Sequence, residues 1–111
     1  DKVEKYRLLI AQELEKYANR TPVNMPETER QIAIDDKRGQ FALFSVGWRN
    51  SRYIHQCLIH AQIKEGKIWI HQDLTDPGLF ERLLSKGGSE EDLILAFIPE
   101  HERAEQEAIL L

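Results

Sequence analysis

The chain has one cysteine (Cys57), four prolines and six glycines in 111 residues, and no excess of basic charge. A lone cysteine cannot close an internal disulfide, so the core must hold the fold, and a reducing cytoplasm is the expected setting. Fifteen Lys and Arg face nineteen Asp and Glu, for a net charge of −4. Proteins that grip nucleic acid unaided usually carry a basic face, so no strong autonomous nucleic-acid binding is expected. Apolar runs stay well short of the roughly 18–20 residues a membrane span requires, and no membrane association is expected. No signal-peptide pattern opens the chain, which starts at Asp1 rather than Met. Internal repeats, linkers and low-complexity tracts are also missing, so the reading is one domain over residues 1–111.

What is present is a period that changes along the chain. Val3, Tyr6, Ile10, Leu14 and Tyr17 recur every three or four residues, with Leu9 alongside, which predicts an amphipathic helix over about 2–18. Glu4, Lys5, Glu13, Glu15 and Lys16 fall mostly on its opposite face. Pro22 and Pro26 mark a connector. From about Arg30 the period becomes two, with Ile32 and Ile34 on one side. Asp36-Lys37-Arg38-Gly39 reads as a turn with Gly39 left-handed, Arg49-Asn50-Ser51-Arg52 as a second, and Glu65-Gly66 as a two-residue hairpin loop.

That last loop sets Ile63 opposite Ile68, Ala61 opposite Ile70 and His60 opposite His71; a one-residue slip would turn the apolar set toward water. The turns together predict one apolar face carrying Ala42, Phe44, Val46 and Trp48 against Tyr53, His55, Cys57, Ile59, Ala61 and Ile63. The reverse face then holds Phe41, Leu43, Ile54, Leu58 and Trp69 beside Gln56, His60, Gln62, His71 and Asp73. So many large apolar groups there predict partial cover by another element or a second subunit. After Asp73, Thr75 or Asp76 is expected to cap a helix with Pro77 in its first turn, Leu79, Phe80, Leu83 and Leu84 inward, and Gly87-Gly88 ending it. Ser89 to Asp92 reads as a capping box, Leu93 to Phe97 as a short apolar strand, and the stretch from Pro99 as a last helix. The fold class is α+β: an antiparallel meander of four strands plus a short fifth strand, with an N-terminal helix and one or two C-terminal helices.

These pieces resemble the XisI family, the fdxN element excision controlling factors of cyanobacteria. The resembling residues are Val46-Gly47-Trp48, Arg52-Tyr53, Cys57, His60, Gly66-Lys67-Ile68-Trp69-Ile70, Asp73 and Thr75. Gly87 to Phe97 is similar to a family segment, and Glu4-Lys5-Tyr6-Arg7 matches in the opening helix. His71 stands where the family usually has Gln, and the tail after Phe97 departs from its pattern. The resemblance implies an accessory role in programmed excision of a DNA element during heterocyst development, beside an XisH-type nuclease-like partner. It supplies no catalytic residues, and no cofactor or resident metal is expected.

The candidate partner-binding residues are Trp69, His60, His71, Leu58 and Asp73, and homodimerisation through the same face is equally compatible. An alternative reading makes His60, His71 and Asp73 the ligands of a metal-assisted enzyme, since two imidazoles and a carboxylate on neighbouring strands are competent ligands. Cys57 beside His55 reads as inert packing rather than a nucleophile. Asp35, Asp36, Asp73 and Asp76 lack a nuclease-like arrangement. Lys37-Arg38 and Arg49 with Arg52 lie at opposite ends of one strand and make no continuous basic stripe.

Overall fold

The computed structural model describes residues 1–20 and 27–103. The connector at Pro22 and Pro26 and the end of the chain from residue 104 lie outside the described residues. Helix α1 (Lys2–Ala18) starts where Asp1 Oδ1 accepts from the Val3 N–H at 2.8 Å, with Glu4 in its first turn and Lys16 in its last, each complementing the helix dipole. The sheet follows as β1 (Glu29–Asp35), β2 (Gln40–Arg49), β3 (Arg52–Lys64) and β4 (Lys67–Asp73), each antiparallel to the one before. Helix α2 (Leu79–Ser85) then leads through a short 3₁₀ turn to β5 (Leu93–Leu95), which pairs parallel to β4. Strand order is β1-β2-β3-β4-β5. Residues 100–103 are helical again.

The expected turns form. Gly39 has φ +65°, and a Cβ there would lie 2.7 Å from the Ile63 carbonyl oxygen, so glycine is required for both backbone and space. Asn50 and Ser51 (φ 49° and 69°) and Glu65 and Gly66 (φ 56° and 75°) make tight hairpin loops with both central residues left-handed.

Both helices pack on one face of the sheet. Tyr6, Ile10, Leu14 and Tyr17 of α1 and Leu79, Phe80 and Leu83 of α2 share a core with Phe41, Leu43, Ile59, Ala61, Ile68, Ile70 and Leu93. Two bulges decide which sheet residues join them. Between β2 and β3 the register runs Leu43 opposite Ile59, then Phe44 opposite Cys57, so Leu58 is the extra residue. Between β3 and β4 it runs Ala61 opposite Ile70, then His60 opposite Gln72, so His71 is the extra one. Each bulge reverses the faces of the residues beyond it.

The apolar face predicted by straight alternation is therefore corrected. Phe41 and Leu43 are fully buried, whereas Ala42, Phe44, Val46 and Trp48 lie on the other face with Tyr53, His55 and Cys57. Trp48 and Tyr53, expected inside, are 63% and 56% exposed. Glu13 is corrected too: it is 1% exposed on the core side of α1, held by Lys16 at 2.8 Å and Arg82 at 3.4 Å.

The entry to α2 also differs from expectation. The helix starts after Gly78, and Asp73 caps it at a distance, one carboxylate oxygen accepting from the Leu79 N–H and the other from the Thr75 N–H and hydroxyl. Gly88 N–H closes the helix onto the Leu83 carbonyl at 2.8 Å. No side-chain cap bond forms at Ser89. Asp92 instead turns inward, accepting from the Tyr6 hydroxyl at 2.6 Å with Lys2 at 3.4 Å.

Candidate functional site: the open face of the sheet

With α1 and α2 packed on one side, neither covers the other side of β2, β3 and β4, which the helical residues 100–103 meet through Arg103 at Trp69. Its centre is a row of polar side chains between aromatic rings. His60 Nε2 is hydrogen-bonded to the Gln40 side-chain amide at 2.7 Å and His71 Nε2 to the Gln62 side-chain amide at 3.0 Å. The two imidazoles lie 4.8 Å apart, brought together by the bulge even though they are not register partners. Trp69 stands beside them, half-buried, its Nε1 donating to the Lys64 carbonyl at 3.2 Å. The Lys64 ammonium lies 4.3 Å and the Arg103 guanidinium 5.8 Å from the indole, both within cation–π reach.

The face continues toward the β2–β3 turn, where Phe44 stacks on His55 at 5.5 Å and Trp48 meets Tyr53 edge-on at 5.3 Å. This hairpin runs past both neighbours, because β1 ends its pairing at Val46 and β4 at Ile59. Its tip carries Arg49 and Arg52, both exposed. Along β2, β3 and β4, the open face presents no carboxylate, although the chain as a whole is acidic.

Of the five candidate residues, Trp69, His60 and His71 come together on this face. Leu58 and Asp73 do not. The first bulge turns Leu58 into the core, where it is 8% exposed. The second shifts Asp73 to the helical side, opposite Ile59, where its oxygens are committed to α2 and Thr75. The proposed His60, His71 and Asp73 ligand set is therefore corrected: its carboxylate faces the wrong side. Among the described residues no group of three or more His, Cys, Asp or Glu is placed to hold a metal ion.

The other carboxylates also stay apart. Arg38, bonding through its guanidinium and its backbone N–H, holds the Asp35 carboxyl below its usual range. Asp36 faces Arg7 at 3.6 Å, while Asp73 lies at the far end of β4. Burial raises the Cys57 thiol above its ordinary range, and its Sγ donates to the Ile59 carbonyl, so it is a poor nucleophile at neutral pH. Sequence reading missed Trp48 and Tyr53 as surface groups. The available signal was the doublet Leu58-Ile59, two large apolar residues breaking the alternation at the bulge.

Desolvation, and then the positive charges of His60 and Lys64, hold His71 below the ordinary histidine pKa. The folded state therefore binds fewer protons here than the unfolded chain, and stability falls as pH drops through about 6.5 toward the lowered folded value. His71→Gln should flatten that part of the stability–pH curve, measured by urea unfolding between pH 5 and pH 8; an unchanged slope would contradict the assignment.

The fold and this face define a small α+β protein, helices on one side of a mixed sheet and an aromatic, cation-flanked face open on the other. The model of the family described as XisI protein matches residues 1–108, and the chain belongs to that family. It is similar to a solved XisI-like protein from Anabaena variabilis, with 34% identity, 90% of this chain and 91% of that one covered, and a TM-score of 0.81. It is also similar to the fdxN element excision controlling factor XisI from Anabaena variabilis, with 29% identity, coverage of 93% and 99%, and a TM-score of 0.77. No curated protein matches the chain. Among the described residues, no helix is long and apolar enough to cross a membrane.

Proposed function

We propose that this chain is a non-enzymatic accessory subunit that acts by protein–protein contact in programmed excision of a DNA element, with an XisH-type nuclease-like protein as its partner. The observation that carries this reading is the open face itself. Large aromatic groups, buried neither by α1 nor by α2, lie in a row without a carboxylate, and cations stand at both ends. Trp, Tyr and Arg are the residue types that dominate interface energetics, and charge depletion marks the centre of such surfaces. The name of the Anabaena relative, an excision controlling factor, supports placing the contact in that process. The metal-assisted alternative has lost its carboxylate to α2.

The test is co-purification with the XisH-type protein followed by titration. Trp69→Ala should weaken the complex about thirtyfold, equivalent to about 2 kcal/mol at a central aromatic anchor, while the free protein melts as before. A complex of unchanged affinity with a folded variant would reject this surface. A homodimer through this face, which would use the same anchor, would instead show as self-association lost on the same substitution.

A further inference from the structure

The sheet has two edges, and they are built differently. The β5 edge is three residues long. The β1 edge is seven residues long, keeps an unshifted register with β2 throughout, and has neither proline nor bulge. Its middle, Gln31-Ile32-Ala33-Ile34, carries no charge. Natural edges are usually blunted by shortness, charge, proline or a bulge, because the unpaired N–H and C=O groups otherwise recruit another strand. Ile34 is also 42% exposed although its register places it on the core side. We infer that β1 is a self-pairing edge, through which two copies of this chain join into one ten-stranded sheet.

The sequence of β1 singles out a register for that pairing. A two-fold axis perpendicular to the sheet keeps both helical layers on one side, so opposed residues must come from the same face. Three central registers satisfy this. Centring on Ile32 sets Glu29 against Asp35 twice, a like-charge clash. Centring on Gln31 sets Ile34 against Thr28 and Arg30 against Ile32. Centring on Ala33 pairs Ile32 with Ile34 on the core side and Gln31 with Asp35 on the open side. It also brings Arg30 to the other copy's Asp36 and Glu29 to its Lys37, every pair occurring twice. Only this register joins apolar to apolar and sets each of these charges against its opposite.

Arg30 is half-buried on this edge strand, and the register brings to it the Asp36 carboxylate of a second copy, which in its own copy also faces Arg7 at 3.6 Å. The arrangement leaves the open face of both copies free and pointing the same way, so it stands independently of the proposed partner surface.

The experiment is sedimentation equilibrium of the full chain across a micromolar concentration series, with melting curves to confirm folding. The wild type should approach twice the 13.0 kDa chain mass. Ile34→Lys, at an already exposed position, should weaken the dimer at least tenfold, as should Asp36→Lys on the exposed turn. Arg30→Glu combined with Asp36→Lys restores opposite charges and should recover most of the affinity lost by Asp36→Lys alone. A monomer at all concentrations overturns the inference. So does a dimer insensitive to Ile34→Lys and Asp36→Lys, including one abolished by Trp69→Ala. If Ile34→Lys fails to fold, the Asp36→Lys variant and its charge-restored partner decide.

Discussion

Glu13→Ala should cost about 3–5 kcal/mol of folding stability, the range for removing one partner of a buried ion pair. Glu13 has a side-chain exposure of 2% and receives Lys16 at 2.8 Å and Arg82 at 3.4 Å. The two cations are not equivalent. Lys16 is 46% exposed and can swing into water, so its contribution is screened. Arg82 is 19% exposed, its guanidinium lies 5.0 Å from the Tyr17 ring centroid, and its Nε is buried without a hydrogen-bond partner among the described residues. Losing Glu13 strands that charge between α1 and α2. The cost measures the stranded group rather than the worth of the pair. The double variant Glu13→Met with Arg82→Met should accordingly recover most of the loss. Urea unfolding of the two single variants and the double variant checks this. A Glu13→Ala cost below about 1 kcal/mol would mean that Arg82 reaches solvent without moving the helices.

Glu13 also shows how far the sequence could be read. The apolar stripe of α1 gave the helix at 2–18, and the structure has it at Lys2–Ala18. The same stripe sets Glu13 in a charged group that falls mostly on the opposite face. Glu13 lies three residues after Ile10 and next to Leu14, inside the buried arc, where Lys16 one turn on and Arg82, sixty-nine positions away on α2, hold its carboxylate. The strands behaved alike. Turn chemistry is local, so Gly39, Asn50-Ser51 and Glu65-Gly66 were legible. With them came the pairings next to each turn: Trp48 with Tyr53, Ile63 with Ile68, Ala61 with Ile70. Bulges inside long strands are not dictated locally. Inserting Leu58 and His71 lets Ile59 stay under the helices while Cys57 and His55 turn away, and lets Asp73 reach α2. Straight alternation therefore fails beyond each bulge. That is why Trp69, His60 and His71 were grouped correctly while Leu58 and Asp73 were not.

The second large effect separates the two faces of β2. Phe41→Ala should cost about 3–5 kcal/mol, whereas Phe44→Ala, three residues on, should cost about 1.5 kcal/mol or less. Phe41 is fully buried, opposed by Ala61 on one side and Ile34 on the other, beneath the helices; removing its ring leaves a cavity that rigid neighbours cannot fill. Phe44 is half-buried on the open face, stacked on His55 beside solvent that can occupy the vacated space. By composition alone the order would be reversed, since Ala42, Phe44, Val46 and Trp48 form a more apolar set than Phe41, Leu43, Ser45 and Gly47. What overrides composition is cover: α1 lies over the odd set, and Ser45 is accommodated there by its hydrogen bond to the Thr28 hydroxyl at 3.1 Å. Paired chemical-denaturation curves decide the matter. Equal losses at Phe41 and Phe44 would mean that the open face is packed against something in the free protein. It would then not be the surface a partner meets.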